Sequence, residues 1–425
     1  MGYLAIFFCI IIFIYTYARY KYFYHPVVFF TGLWSVILVL ANMKLFGIYT
    51  ASEKTYTIIL LGCISFVIGN YIGEKYKITI GKSSQKQKKI FLEHKLRGKY
   101  IKDLVKILCF VTIAVYTIKI IQIIPLYLSG KTLQDIRAIY ASNSINFGLG
   151  GPLFSILSSY VASPFALAII PISAIEAFTP SRKRYFLVFI CIYLQICNIL
   201  IEAGRARIVH WLLIYILVYL IVVPYEKRRK ISIKSKMRII IAIAFCIIIV
   251  GVLTRMRGVN DQIKGIYIYI AGCVPFFNLQ KDMLDCSDFY AYGFASLFGI
   301  TTIIHWIFSV FGINFIFLEK VAELASRQDY YFIGDGINFN AFVTTFYHFY
   351  IDGRIFGVVL GMALYGYFCG KLYKNVCKRS SARDICVFSL VIIGLMMTMV
   401  RFWMVTTTYV LAVVYIYIIY FRIKK

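Results

Sequence analysis

The sequence predicts an all-α polytopic membrane protein, with about 11 transmembrane helices (up to 13) forming a single bundle over residues 1–425. A long late extracytoplasmic segment, 255–352, is expected within it as interfacial helices. Three observations predict this. The chain is 61% hydrophobic and 15% charged, with mean hydropathy +0.79, whereas a soluble domain carries about a quarter charged residues. Apolar runs of roughly 16–25 residues recur along its length, enough to cross a hydrocarbon layer as helices. Lysine and arginine crowd into the short hydrophilic loops between the runs, the pattern of cytoplasmic loops.

Taken in order, the expected spans lie near 3–17, 27–43, 56–73, 104–128, 152–177, 185–202, 206–224, 239–254, 353–371, 385–401 and 403–421. Met1–Tyr17 has no basic leader and no small-residue cleavage site, so it reads as a retained first span. The loop 74–103, with Lys75, Lys82, Lys86, Lys88, Lys89 and Arg97 among its cations, belongs inside. Alternation then puts 18–26, 178–184, 225–238, 372–384 and the C-terminal FRIKK inside too, and each of them is basic. The N-terminus and the segment 255–352 face outward. That segment holds two apolar pieces, near 264–278 and 291–311. The turn Lys281–Asp288 between them lacks the basic excess expected inside, which favours interfacial or half-inserted helices; the other reading is a further pair of spans.

The net charge of +28 is carried by loops, with no recognition module beside it, so nucleic-acid binding is not expected. Most of the 11 cysteines lie inside apolar runs as small hydrophobes, and none has metal-ligand spacing. Cys273 and Cys286 share the outer segment, where a disulfide is open to them but not expected. No P-loop, dinucleotide fingerprint, HExxH or GxSxG occurs. No metal and no cofactor are therefore expected. A reaction outside the cytoplasmic membrane, where there is no ATP, needs a preactivated lipid-linked donor.

Two groups of residues carry chemistry. The first is a set of arginines on the outer side: Arg137, Arg205 and Arg207 in EAGRARIVHW, Arg255 and Arg257 in TRMRGVN, Arg354 and Arg401. An arginine at mid-membrane costs about 2.5–3.5 kcal/mol on insertion scales, and guanidinium forks suit phosphate oxygens. Each arginine alone also reads as an interface anchor, and Glu202 as a structural partner of Arg205. The second group lies in DYYFIGDGINFNAFVTTFYHFYIDGR, with Asp335, Asn338, Asn340, Thr344, His348, Asp352 and Arg354. Thr344, His348 and Asp352 are four apart, so a helix presents them on one face. His348 oriented by Asp352 is a candidate base pair. The plain alternatives are a polar loop histidine and a helix-capping aspartate. His210 reads as a packed histidine.

With these residues in place, the chain resembles the O-antigen or capsule repeat-unit polymerases of the Wzy type. The resemblance rests on about a dozen spans, the long late outer segment, Gly204–Arg205 at a mid-chain span start, Ile136–Arg137 in an earlier outer loop, and NAFVTTFYHFYIDGRIFGVVLGMALYGY, with Arg354 as a departure from the pattern. It implies a metal-independent glycosyltransferase of the GT-C type, multi-pass in the bacterial cytoplasmic (inner) membrane and active on its periplasmic face. An undecaprenyl-pyrophosphate-linked oligosaccharide is the implied donor, and a second lipid-linked unit is the acceptor. A chain-length regulator and a flippase are implied partners. His348 and Asp352 would be catalytic, and Arg205, Arg207, Arg255, Arg257, Arg137, Arg401 and Arg354 would hold the diphosphate. Outer tyrosines (Tyr330, Tyr331, Tyr347, Tyr350) could stack on sugars. The alternatives are an O-antigen ligase, a lipid-linked glycan flippase or transporter, and a membrane acyltransferase. Polar groups concentrated on one face, without repeated halves, favour surface chemistry over translocation.

Overall fold

A computed structural model describes residues 1–75, 99–131, 135–136, 139, 151–179, 185–202, 206–223, 262–313, 315–326, 329–340, 342–379 and 381–420. Arg137, Arg205, Arg255 and Arg257, and the expected span at 239–254, lie outside the described residues.

The described residues are predominantly helical, as expected of an all-α membrane protein. We number the helices α1 (Gly2–Tyr20), α2 (Pro26–Met43), α3 (Glu53–Lys75), α4 (Lys99–Leu128), α5 (Leu153–Phe178), α6 (Phe186–Glu202), α7 (Ala206–Val222), α8 (Gln262–Ala271), α9 (Cys273–Asp285), α10 (Phe298–Val310), α11 (Ile316–Ser326), α12 (Thr344–Arg379), α13 (Ala382–Met396) and α14 (Thr407–Ile419). Seven helical stretches are long and apolar enough to cross a membrane: α1, α2, α3, α5, Ile101–Leu128 of α4, Thr344–Lys378 of α12, and Ala382–Met399, which extends α13. Shorter apolar helices are α6, Arg207–Val222, Phe298–Ser309 and α14. Helices α8, α9 and α10 have 10, 13 and 13 residues, each below the roughly 20 that a span needs.

The ends of these helices follow from local sequence. Pro26 opens α2 in the first turn, where its missing N–H costs nothing. Lys21 closes α1 in a left-handed conformation, its N–H donating to the Tyr17 carbonyl at 2.8 Å. Inside α5, a π turn at Leu157–Ala162 precedes Pro164 and Pro171, which remove backbone donors that the helix would otherwise use.

The chain divides into two compact units. The first comprises Met1–Phe91, Ile263–Ser380 and Val391–Val410; the second comprises Leu92–Gln262, Ser381–Leu390 and Leu411–Lys425. In the first unit, α3 lies along α12 in close backbone contact. A Cβ on Gly69 or Gly73 would overlap the carbonyls of Ala363 or Tyr367, and one on Gly366 or Gly370 would overlap those of Phe66 or Asn70. Small residues four apart on both helices let the two backbones approach, which supplies packing where lipid provides no hydrophobic drive. Trp34 of α2 is fully buried against this pair, its ring edge-on to Phe346 and its Nε1 donating to Thr398 Oγ1 at 3.1 Å.

A short hairpin, β1 (Tyr331–Gly334) with β2 (Ile337–Phe339), adds antiparallel structure to the first unit. It turns at Asp335–Gly336, with Gly336 at φ +67°, and it is pinned by Tyr49 N donating to Ile333 O at 2.8 Å. A short apolar segment around an Asp-Gly pair is a hairpin signal. The helical reading of the outer segment passed over it.

Helix α12 is broken. Arg354 takes φ 52°, ψ −136°, a left-handed conformation unusual for a side chain with a Cβ. The polar stretch before the break and the apolar one after it are therefore separate helical segments. Gly357 and Gly361 make the reversal compact: a Cβ on them would overlap the Phe349 carbonyl and ring.

Candidate functional site

The first polar segment of α12 is sunk in the core of the first unit. Thr344, Thr345 and His348 are fully buried, and Tyr347 and Tyr350 nearly so. Several polar atoms here are left orphaned among the described residues: Thr344 Oγ1, Thr345 Oγ1, His348 Nε2 and Arg354 Nη1, with both amide atoms of Gln280 on α9. An orphaned buried polar atom costs about 1–3 kcal/mol, so its concentration in one region marks a candidate site.

Asp352 does not orient His348. Its carboxylate accepts from the amides of Ala295 at 2.9 Å and Ser296 at 3.0 Å, and its carbonyl accepts from Tyr292 N at 3.1 Å. Asp352 thus ties the loop before α10 to the break in α12, which extends the capping alternative to a different helix. His348 instead accepts a long hydrogen bond at Nδ1, 3.4 Å from the amide N of Phe402. An acceptor Nδ1 places the ring proton of the neutral tautomer on Nε2, an assignment made from this geometry. The carbonyls of Ala325 and Thr344 face the ring, yet Nε2 closes no hydrogen bond of ordinary geometry with any described residue.

The backbone beside His348 carries Arg401. Between α13 and α14 the chain leaves helical geometry for two short 3₁₀ turns, Met397–Met399 and Trp403–Val405. Thr344 N donates to Val400 O at 3.2 Å, and Thr344 and Arg401 form an isolated bridge. His348 and Thr344 therefore fix the Val400–Phe402 backbone from one side. The Arg401 guanidinium is half-buried and makes no hydrogen bond or ion pair with a described residue. A sunken guanidinium without a carboxylate is suited to an anion.

The other described arginines are engaged elsewhere. Arg354 donates to the carbonyls of Leu284 at 2.8 Å and Ser287 at 2.6 Å and lies over the rings of Tyr290 and Tyr350. These ties hold its strained backbone in place. Arg207, in the second unit, forms a bidentate pair with Glu202, with Nη2–Oε1 at 2.8 Å and Nε–Oε2 at 3.1 Å. Glu202 thus has a structural partner in Arg207; the pairing expected with Arg205 falls outside the described residues. His210 is buried nearby, and Lys119 of α4, 6% exposed, adds a second cation facing Glu202. Lys119 was missed in the sequence reading. A single lysine inside the run LCFVTIAVYTIKII was the available signal.

Also missed was a charged knot at the C-terminal end of α9. Lys281, 1% exposed, contacts Asp282 and lies 3.6 Å from Asp285. Asp285 accepts from Lys54 at 2.8 Å and from the Tyr350 hydroxyl at 2.6 Å. Burial would raise the Asp285 carboxyl, but those two hydrogen bonds and the charges of Lys54 and Lys281 outweigh it and hold it below its ordinary value. The knot ties α3, α9 and the first segment of α12 together.

Among the described residues no group of histidine, cysteine and carboxylate side chains could hold a metal ion. Cys273 and Cys286 are both free thiols. No protein-family model, curated protein or solved structure matches the chain.

Proposed function

We propose that this chain is a membrane glycosyltransferase that polymerises lipid-linked oligosaccharide repeat units on the outer face of a bacterial cytoplasmic membrane. The observation that carries the reading is Arg401: a half-buried guanidinium with no anionic partner among the described residues, held beside the buried polar segment of α12. In this reading Arg401 binds the diphosphate of an undecaprenyl-pyrophosphate-linked donor and stabilises the charge that develops as it leaves. A hydroxyl of the second lipid-linked unit attacks the anomeric carbon, the carbon–oxygen bond to phosphate breaks, and the acceptor proton departs with the diphosphate.

His348 enters as a positioning residue, since its Nδ1 holds the Phe402 amide next to Arg401. Asp352 positions the loop over the break. Arg207 and Arg354 are occupied by Glu202 and by backbone carbonyls, so among the described arginines the diphosphate role falls first to Arg401.

The test is the length of the glycan. Arg401→Ala should collapse a sugar ladder towards single repeat units, with turnover lower by about 10²–10³-fold, the cost of removing one donor to a developing oxyanion. A full-length ladder in Arg401→Ala cells would falsify the assignment. The ligase alternative predicts a different residue of product: finished polymer left on the lipid carrier.

A further inference from the structure

Beside the polar segment of α12 lies a cavity of about 140 Å³, bounded by α9, α11 and Tyr347. It is roughly ten times the space that one water needs. Its chemistry differs from that around Arg401. Lys320 and Glu323 at its rim neutralise each other at 3.0 Å, so the lining carries no net charge to select an ion. Leu284 and Leu324 supply apolar walls, and Tyr347 supplies an aromatic one. Gln280 lines it with a side chain 1% exposed, and neither its amide nitrogen nor its amide oxygen has a partner among the described residues. A buried primary amide left this way demands a ligand that both donates and accepts hydrogen bonds.

From this we infer that the cavity is a binding subsite for a neutral polyhydroxylated ring, a single pyranose, with Gln280 as its recognition residue. Neighbouring hydroxyls of a pyranose donate to the amide oxygen and accept from the amide nitrogen. The C–H face of the ring packs on leucine and tyrosine. Tyr347 lines this cavity, while the next residue, His348, contacts the backbone that carries Arg401. A neutral ring site and an anion site thus lie on either side of one turn of helix. That this ring belongs to the sugar acceptor rests on the polymerase reading above; the subsite itself does not.

The experiment is saturation-transfer NMR on the purified full chain in detergent, with methyl glucopyranoside and methyl N-acetylglucosaminide as probes. Transfer to the ring protons is expected in the wild type. It should fall about tenfold in Gln280→Leu, as for loss of a paired buried amide, and persist in Arg401→Ala. Met283→Trp fills the cavity from an exposed position and should abolish transfer with an unchanged thermal midpoint, which keeps the result independent of any folding defect in Gln280→Leu. The inference is overturned if neither glycoside shows transfer above a glycerol control, or if transfer survives both cavity variants. A chain that binds glycoside through Gln280 but whose deletion leaves the glycan ladder at full length would keep the subsite and lose the polymerase reading.

Discussion

At the residue scale, His348 is the informative case. Spacing alone put it on one helical face with Asp352, and the geometry permitted an acid–base pair. The structure gives each a different neighbour: Asp352, the last residue before the break, meets the amides of Ala295 and Ser296, and His348 meets the amide of Phe402. A positioning role makes a distinct prediction from a basic one. His348→Gln keeps an acceptor for the Phe402 N–H and should retain a substantial part of activity. His348→Ala leaves that amide orphaned and should lower turnover by roughly tenfold or more, the equivalent of about 1–3 kcal/mol. Measured kinetics that are equally dead for both variants would restore the base.

Among elements, α3 and α12 show what pattern reading reaches and what it does not. The apolar runs of both were legible; α3 ends within three residues of the expected span, while α12 runs well past it at both ends. The glycines of α12 were read as a family pattern. Their physical role is steric: Gly357 and Gly361 admit Phe349, and Gly366 and Gly370 admit the α3 backbone. Which backbone meets which glycine is a long-range fact that local periodicity does not encode. The break was equally hidden, since arginine is a poor marker for a left-handed residue and its stabilising partners, Leu284 and Ser287, lie far away in sequence. Gly366→Val should force α3 and α12 apart and destabilise the unit by about 1–3 kcal/mol or more, seen as a lower melting temperature in detergent. An equivalent glycine with open surroundings, Gly312, faces nothing nearby and provides the control position, though its φ of +73° restricts the choice of replacement there to asparagine.

For the whole molecule, the topology is the inference with the most sequence support. Basic loops announce orientation because translocating cations is costly. The outer segment was harder, since a short apolar helix has the same composition whether it spans or lies flat. Cys286 decides it. It is an exposed thiol in the turn after α9, placed outside if α8 to α10 are interfacial and inside if they span. A membrane-impermeant maleimide added to intact spheroplasts should modify it; labelling seen only after permeabilisation would add two spans.

The seam between α3 and α12 bears on how the protein behaves once out of its bilayer. Its cohesion comes from the fit of one main chain against another, not from the expulsion of water, so a micelle offers it the same surroundings as lipid. By contrast, α1 leaves most of its surface uncovered, with 17% of its apolar window buried. Solubilisation should therefore loosen the molecule from its N-terminal edge inwards, and the glycine-lined pair would be the last part to come apart.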